Sequence, residues 1–303
     1  MSGPVVVVGG INLDTLARIS ASTDRGSSNP GHTVTAPGGV GRNIAENLAR
    51  LGTPVRLVGS VGSDHAGDLL LAGLDQVGVD ATGVRRRDNL ATGTYTAVLA
   101  SDGSLDVGVA DMAATDSVGP EQIESATLDG ASWLVLDGNL SRSTVGRCLD
   151  LARSAGVPVV LDPVGVAKAA RLGSISGLHT FTPNAEELAA WSGLDEPAAV
   201  AAAHAERVEV VWLRAGAAGS TLHRAGQEPI RVRLPEAPVT DVTGAGDAML
   251  AAYVHWLRAG ASIEESAWLA AAAAWLTVGS PSAVRPDLTE ALVARTLEEL
   301  RAP

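Results

Sequence analysis

The seven residues Asp241-Val242-Thr243-Gly244-Ala245-Gly246-Asp247 carry the strongest chemical signal in the chain. Two glycines and an alanine lie between two carboxylates, and the helix-forming run Ala248-Met249-Leu250-Ala251-Ala252-Tyr253 follows at once. Backbone N–H groups at a helix start lack partners, and the helix dipole adds partial positive charge there. Gly244 and Gly246 allow that backbone to come close to a ligand, so the turn suits an anion, phosphate above all. A site that only bound phosphate would gain nothing from the negative charge of Asp247. Placed there, the carboxylate is suited to take a proton from a hydroxyl that attacks the phosphate. The plainer reading is a glycine-rich loop with an Asp cap.

Three further clusters carry polar side chains of the right kind for a polyol. Asn12 and Asp14 follow the apolar run Val5–Val8; Gly38, Gly39 and Asn43 stand at a predicted helix start; Asn184 and Glu187 follow Thr180–Phe181. Asn and Asp offer the donors and acceptors that vicinal hydroxyls require. The chain thus reads as binding a polyol at one end and a phosphate donor at the other.

The elements that must position these clusters alternate. Val5–Val8 reads as a strand buried on both faces, and Val55–Val58, Trp133–Leu136, Val157–Leu161, Thr180–Phe181 and Val208–Leu213 read as further strands. Helices are predicted over Asn43–Leu51, His65–Val77, Thr144–Ala155, Ala185–Ser192, Ala198–Ala205, Glu264–Val278 and Leu288–Glu299. Such alternation implies an α/β fold with a parallel, doubly wound sheet, whose ligands bind at the carboxyl ends of the strands. Residues 11–36 and 92–110 break the pattern, the second with an Asp102-Gly103 hairpin turn. Together they are expected to form a small β-sheet lid, inserted in one domain spanning 1–303; two ordinary surface hairpins are the alternative.

Composition narrows the function. The 303 residues carry a net charge of −12, which argues against nucleic acid and anionic membranes as partners. Arg85-Arg86-Arg87 reads as a solvated strand edge. Cys148 is the sole cysteine and no secretory leader is visible, so a reducing cytoplasm is expected. Ala267–Leu276 is too short to span a bilayer and reads as a buried helix. Lys168 is the only lysine beside twenty-one arginines, and no glycine-rich loop ends in Lys-Ser or Lys-Thr. The P-loop and protein-kinase phosphate lysines are therefore absent. Ile44 stands where a dinucleotide fingerprint needs its third glycine. The six histidines show no paired metal-ligand spacing.

Over nearly its whole length the chain resembles the ribokinase-like sugar kinases of the PfkB family. Pro37-Gly38-Gly39-Val40-Gly41-Arg42-Asn43 resembles the first family signature and Asp241–Asp247 the second, with Pro183-Asn184-Ala185-Glu186-Glu187 between them. The resemblance implies a three-layer α/β/α Rossmann-like fold with a β lid, and ATP with magnesium as cofactors. It makes Asp247 the base, with the amides of Gly244, Ala245 and Gly246 stabilising transition-state charge. Asn12, Asp14, Gly38, Gly39 and Asn43 hold the sugar. Asn184 and Glu187 organise phosphate and metal-bound water. Arg214, Gly216 and Gly219 fall in the nucleotide-contacting turn, where Arg214 replaces the family's hydroxyl residue. Asp241 and Thr243 stand near a potassium site of the family.

Within the family, Ser28-Asn29-Pro30-Gly31, the run Thr35–Ala49, Val61-Gly62-Ser63-Asp64 and Asp111-Met112 resemble the pseudouridine kinases. That implies transfer to the 5′-hydroxyl of pseudouridine, in nucleoside catabolism. Pseudouridine carries one more ring N–H than uridine, and an acceptor aimed at it would discriminate. Asp111 is a candidate for that acceptor, or else a capping Asp; Arg42 is a candidate contact, or else an exposed first-turn residue. A ribokinase, another sugar or nucleoside kinase, and a non-catalytic nucleoside-binding regulator are the alternatives. The lid also offers a surface for a homodimer.

Overall fold

The computed structural model describes residues 3–24 and 26–302. Its strands, in chain order, are β1 (Val5–Val8), β2 (Asn12–Ile19), β3 (Gly31–Gly38), β4 (Val55–Gly62), β5 (Asp80–Arg87), β6 (Gly93–Leu99), β7 (Leu105–Asp111), β8 (Trp133–Asp137), β9 (Val159–Asp162), β10 (Thr180–Phe181), β11 (Val210–Arg214), β12 (Ser220–Arg224) and β13 (Ile230–Val232). Nine of them form one sheet in the order β13-β12-β11-β10-β9-β8-β1-β4-β5. β5 to β11 pair in parallel, whereas β12 and β13 are antiparallel.

The alternation of strand and helix therefore holds, and the sheet is mixed at one edge. The antiparallel pair escapes a pattern reading because each strand carries a single fully buried apolar residue, Leu222 or Val232. The all-valine β1 explains itself through its two faces. Val6 and Val8 pack in a core with Leu134, Leu136, Val145 and Leu149, while Val5 and Val7 pack on the other side with Ile44, Leu48 and Leu250. Both faces are dry, so no polar residue interrupts the strand. Helices 142–155, 185–192 and 196–205 cover the first face; helices 40–50, 65–76 and 245–259 cover the second. Helix Ile263–Val278 packs against Ala245–Ala259, burying Ala267, Ala270 and Ala273. No helix of the described residues is long and apolar enough to cross a membrane.

The chain leaves β1 toward β4 and β5 on one side and later fills β8 to β13 on the other. The crevice outside the carboxyl end of β1 is thus the topological switch point, where open α/β sheets bind ligands. The remaining strands make a four-stranded sheet, β3-β2-β6-β7, from segments 12–38 and 93–111. β2 is antiparallel to β3 and parallel to β6, and β6 is antiparallel to β7. β5, which bears Arg85–Arg87, is the free edge of the large sheet; Arg86 pairs with Asp68, while Arg87 turns inward onto Ser117 O and Gln122.

Candidate active site

The first helix of the large sheet runs Val40–Arg50 and starts three residues earlier than its apolar pattern indicates. Gly39 makes that start: its φ is +94°, and a Cβ there would meet Gly10 O at 2.4 Å. Gly9 and Gly41 pack closely beside the carboxylate of Asp137, the last residue of β8: a Cβ on Gly9 would lie 2.3 Å from Asp137 Oδ2, and one on Gly41 2.7 Å from Gly9 Cα. Asp137 Oδ2 accepts from Gly10 N at 2.8 Å and Gly41 N at 2.9 Å, and Oδ1 accepts from Asn139 N at 2.9 Å. A buried carboxylate thus ties the end of β1 to the first helix. Burial raises its pKa, and the backbone donors oppose the shift.

Asp247 is 8% exposed at the start of helix Ala245–Ala259, capped by Gly244 in the left-handed region at φ +77°. The amides of Gly246 and Asp247 donate to no acceptor among the described residues, leaving them for an anion. Asp247 Oδ2 accepts from Asn43 Nδ2 at 2.7 Å. Burial pushes the Asp247 pKa up to about 8; the Asn43 donor and Arg214 pull it down, and Asp162 and Asp137 push it further up. A carboxylate with a pKa near neutrality is a competent general base.

Asn12 Nδ2 donates to Asp14 Oδ1 at 2.8 Å, and a Cβ on Gly38 would lie 2.0 Å from Asp14 Oδ2. Burial raises the Asp14 pKa, against the Asn12 hydrogen bond and the charge of Arg42. Asn12, Asp14, Gly38, Gly39, Asn43 and Asp247 are therefore brought together. Among them, Asn43 turns its amide nitrogen to the carboxylate of Asp247.

Asn184 and Glu187 close a capping box at the start of helix Ala185–Ser192. Asn184 N donates to Glu187 Oε2 and Glu187 N to Asn184 Oδ1, each at 2.8 Å. Arg214 reaches Asp162 with both terminal nitrogens, at 2.8 and 3.2 Å, and Glu187 at 3.3 Å. These residues, with Val40, Val164, Gly216, Val242 and Asp247, line a cavity of about 620 Å³. Val164 has φ +67°, rare for a β-branched residue; its amide donates to Asp162 Oδ1 at 2.7 Å. Gly219 stands apart from this cavity and serves its turn, since a Cβ would lie 2.4 Å from Val232 O.

No cluster of three or more His, Cys, Asp or Glu that could cage a metal exists among the described residues. Glu187 Oε1 has no partner among them. One carboxylate oxygen beside a phosphate pocket matches the coordination of magnesium, which keeps its waters and takes oxygens from phosphates. The residues present fit magnesium at that outer level. Asp241 Oδ1 accepts from Thr243 N at 2.9 Å, a local turn in an exposed loop.

Two sequence candidates change place. Arg42 is 4% exposed and engaged inside the site. Asp111 is exposed, and its Oδ1 accepts from Ala113 N at 3.2 Å, a local turn that leads into the short helix Ala113–Asp116, whose N-cap is Met112. Strand register puts it on the face of the small sheet opposite to Asp14. Asp14 sits opposite Ala36 and Tyr95, and Tyr95 opposite Ala110, whereas Asp111 pairs with Thr94 on the other side. The Asp14 face also carries Leu16 and Arg18 from β2, His32, Val34 and Ala36 from β3, and Tyr95, Ala97 and Leu99 from β6. Asp137, Asp162, Tyr95 and Asn139 were not legible as site residues. Asn139 lies near Gly10 beside Asn12 and accepts from Lys168, the single lysine. Asp137 and Asp162 do carry a signal: each ends a buried apolar strand, Trp-Leu-Val-Leu-Asp and Val-Val-Leu-Asp.

Comparison with known proteins agrees with this geometry. The model of the pfkB family carbohydrate kinases matches residues 4–290. The pseudouridine kinase of Escherichia coli strain K12 is 32% identical, over 97% of this chain and 96% of its own. A solved carbohydrate kinase from Agrobacterium tumefaciens superposes with a TM-score of 0.87 at 30% identity, covering 98% of each chain. The structure of Arabidopsis thaliana ribokinase complexed with ribose and ATP superposes with a TM-score of 0.86 at 30% identity, covering 98% of this chain and 99% of that one.

Proposed function

The chain belongs to the pfkB family of carbohydrate kinases, and from that premise we propose that it transfers the γ-phosphoryl group of ATP to the 5′-hydroxyl of pseudouridine. The observation that carries the nucleoside reading is the Asp14 face of the small sheet. Polar Asn12 and Asp14 adjoin Leu16, 43% exposed, Val34, 63% exposed, and the ring of Tyr95. Carboxylate and amide suit ribose hydroxyls; a flat, apolar, aromatic surface beside them suits a nucleobase, and free ribose has no use for it. The Tyr95 hydroxyl, which can accept as well as donate, is the proposed partner of the additional ring N–H of pseudouridine.

In the reaction, Asp247 accepts the proton of the 5′-hydroxyl as that oxygen attacks the γ-phosphorus. The β–γ bridging bond breaks and ADP departs. The Gly244–Asp247 turn and Arg214 face the charge that spreads over the phosphoryl oxygens. Magnesium, when bound beside Glu187 and Asn184, neutralises donor phosphate charge. A potassium role for Asp241 and Thr243 rests on resemblance alone.

A substrate panel with ATP tests this reading. Pseudouridine should exceed both uridine and ribose in kcat/KM by about ten-thousandfold, the scale on which a site built for a polar group rejects an analogue that lacks it. Equal kcat/KM on ribose would make the chain a sugar kinase, as its likeness to the Arabidopsis ribokinase favours. No turnover of any acceptor would favour a binding regulator.

The second face of the small sheet exposes Val107, at 51%, and Val109, at 60%. A second copy of the chain is the proposed cover, because exposed apolar strands invite pairing. Sedimentation at micromolar concentration should show a dimer, and a monomer alone would remove this part.

A further inference from the structure

Arg42 stands in the first turn of helix Val40–Arg50, where the helix dipole disfavours a cation. A buried arginine at such a position needs a compensating role. Its guanidinium pairs with Glu46, donates to Pro37 O at 3.1 Å, and donates to Asn43 Oδ1. Glu46 is itself gripped from the far side by Arg50, whose Nε lies 2.9 Å from Oε1. A continuous chain of charged and polar groups thus runs Arg50–Glu46–Arg42–Asn43–Asp247.

We infer that Arg42 is a positioning residue: it pins the Asn43 amide with its nitrogen toward Asp247, and so shifts Asp247 toward its proton-accepting form. A guanidinium has donors and no acceptor, so the amide edge facing it must be the oxygen. The Nδ2 group is then left for Asp247. An unpinned amide could flip and accept from a protonated Asp247, which would stabilise the neutral acid as well. The pinned amide can only donate, which favours the carboxylate. The charged groups around Asp247 are Asp137 from β8, Asp162 from β9, Arg214 from β11, and Arg42 from the first helix. The two carboxylates oppose ionisation and Arg214 assists it. Arg42 assists it by charge and again through the amide. This role of Arg42 rests on Asp247 being the base.

The test reads ionisation without substrate. The carboxyl signal of Asp247 is followed by carbon NMR in the full chain labelled at its aspartates, and identified by its loss in Asp247→Asn. Arg42→Met should move its titration midpoint upward by about one pH unit or more, the scale set by losing an opposite charge and a hydrogen bond. Arg42→Gln, which keeps a polar head toward Glu46, should move it less in the same direction and serves where the Met variant does not fold. The rising limb of kcat/KM against pH should follow. A folded variant of lower melting temperature with an unmoved midpoint overturns the inference, since Arg42 would then only brace its helix. A midpoint that moves while the rate profile stays fixed upholds the Arg42 effect and overturns Asp247 as the base.

Discussion

Asp247→Asn is expected to lower kcat by about a hundredfold to ten-thousandfold, the range for losing a general base, and to make the protein more stable at neutral and alkaline pH. The first effect follows from the proton of the attacking hydroxyl, which an amide cannot accept. Acceptor binding should persist, because Asn12, Asp14 and the small sheet remain. The second follows from burial, which lifts the Asp247 pKa from 3.8 to about 8 in the folded protein. The folded state then holds the proton more tightly than the unfolded chain. Below the unfolded value the group is neutral in both states and costs nothing. As pH rises from about 4 to about 8 the unfolded chain ionises and the folded protein resists, so stability falls; above about 8 the loss is complete. Asn carries no such dependence. The stability gap between variant and wild type should therefore open across that window and level off beyond it, reaching on the order of a few kcal/mol. Urea unfolding at a series of pH values measures it, and a gap that is constant with pH would mean that Asp247 is not a strained, buried acid. In the same window kcat/KM of the wild type should rise with pH through about 8, because the base must be ionised.

The chemistry of this site was more legible in the sequence than its geometry. Asp241–Asp247 announces itself because glycine, anion turn and carboxylate are contiguous, and their roles depend on local backbone. Asn184 and Glu187 are similarly local, since Asn followed three residues later by Glu is the signature of a capping box. Arg42 could not be read this way. Whether an arginine in a first turn meets water or a buried amide depends on Asp247, some two hundred residues away. Asp111 illustrates a different limit. In a strand one residue decides the face, and the register of β7 on β6 is set by a tertiary pairing that no local pattern around Asp111 records. Tyr95 gained its place by the same register. The antiparallel strands Ser220–Arg224 and Ile230–Val232 lie at a sheet edge, where half-exposure leaves little apolar signal.

Gly244→Ala and Gly246→Ala should separate what the two glycines of the anion turn do. Gly244 has φ +77°, and a Cβ there would lie 1.9 Å from the backbone oxygen of Ala283. The left-handed conformation alone costs an L side chain about 1–2 kcal/mol, and a backbone atom cannot swing aside as a side chain can. The turn must move, taking with it the amides aimed at the phosphoryl group. Losing one such donor costs about a hundredfold to a thousandfold in rate, so Gly244→Ala should lose both melting temperature and kcat. Gly246 is different. It lies within the first turn of helix Ala245–Ala259 with no left-handed φ, and its nearest atom for a Cβ is Arg214 Nη1 at 3.0 Å. That guanidinium is held by Asp162 and Glu187, and need yield by only a few tenths of an ångström. Alanine is also favoured over glycine in a helix by about 1 kcal/mol, so Gly246→Ala should fold at least as well as wild type. The added methyl nevertheless projects toward the guanidinium at the edge of the cavity, where the donor phosphates must come close to backbone. Its activity should fall, with a raised KM for ATP, although its stability does not. Melting curves and initial rates on the two variants decide the matter. Full activity in Gly246→Ala would show that no phosphate approaches that amide, and a Gly244→Ala variant with wild-type stability would show that the turn does not need its left-handed cap.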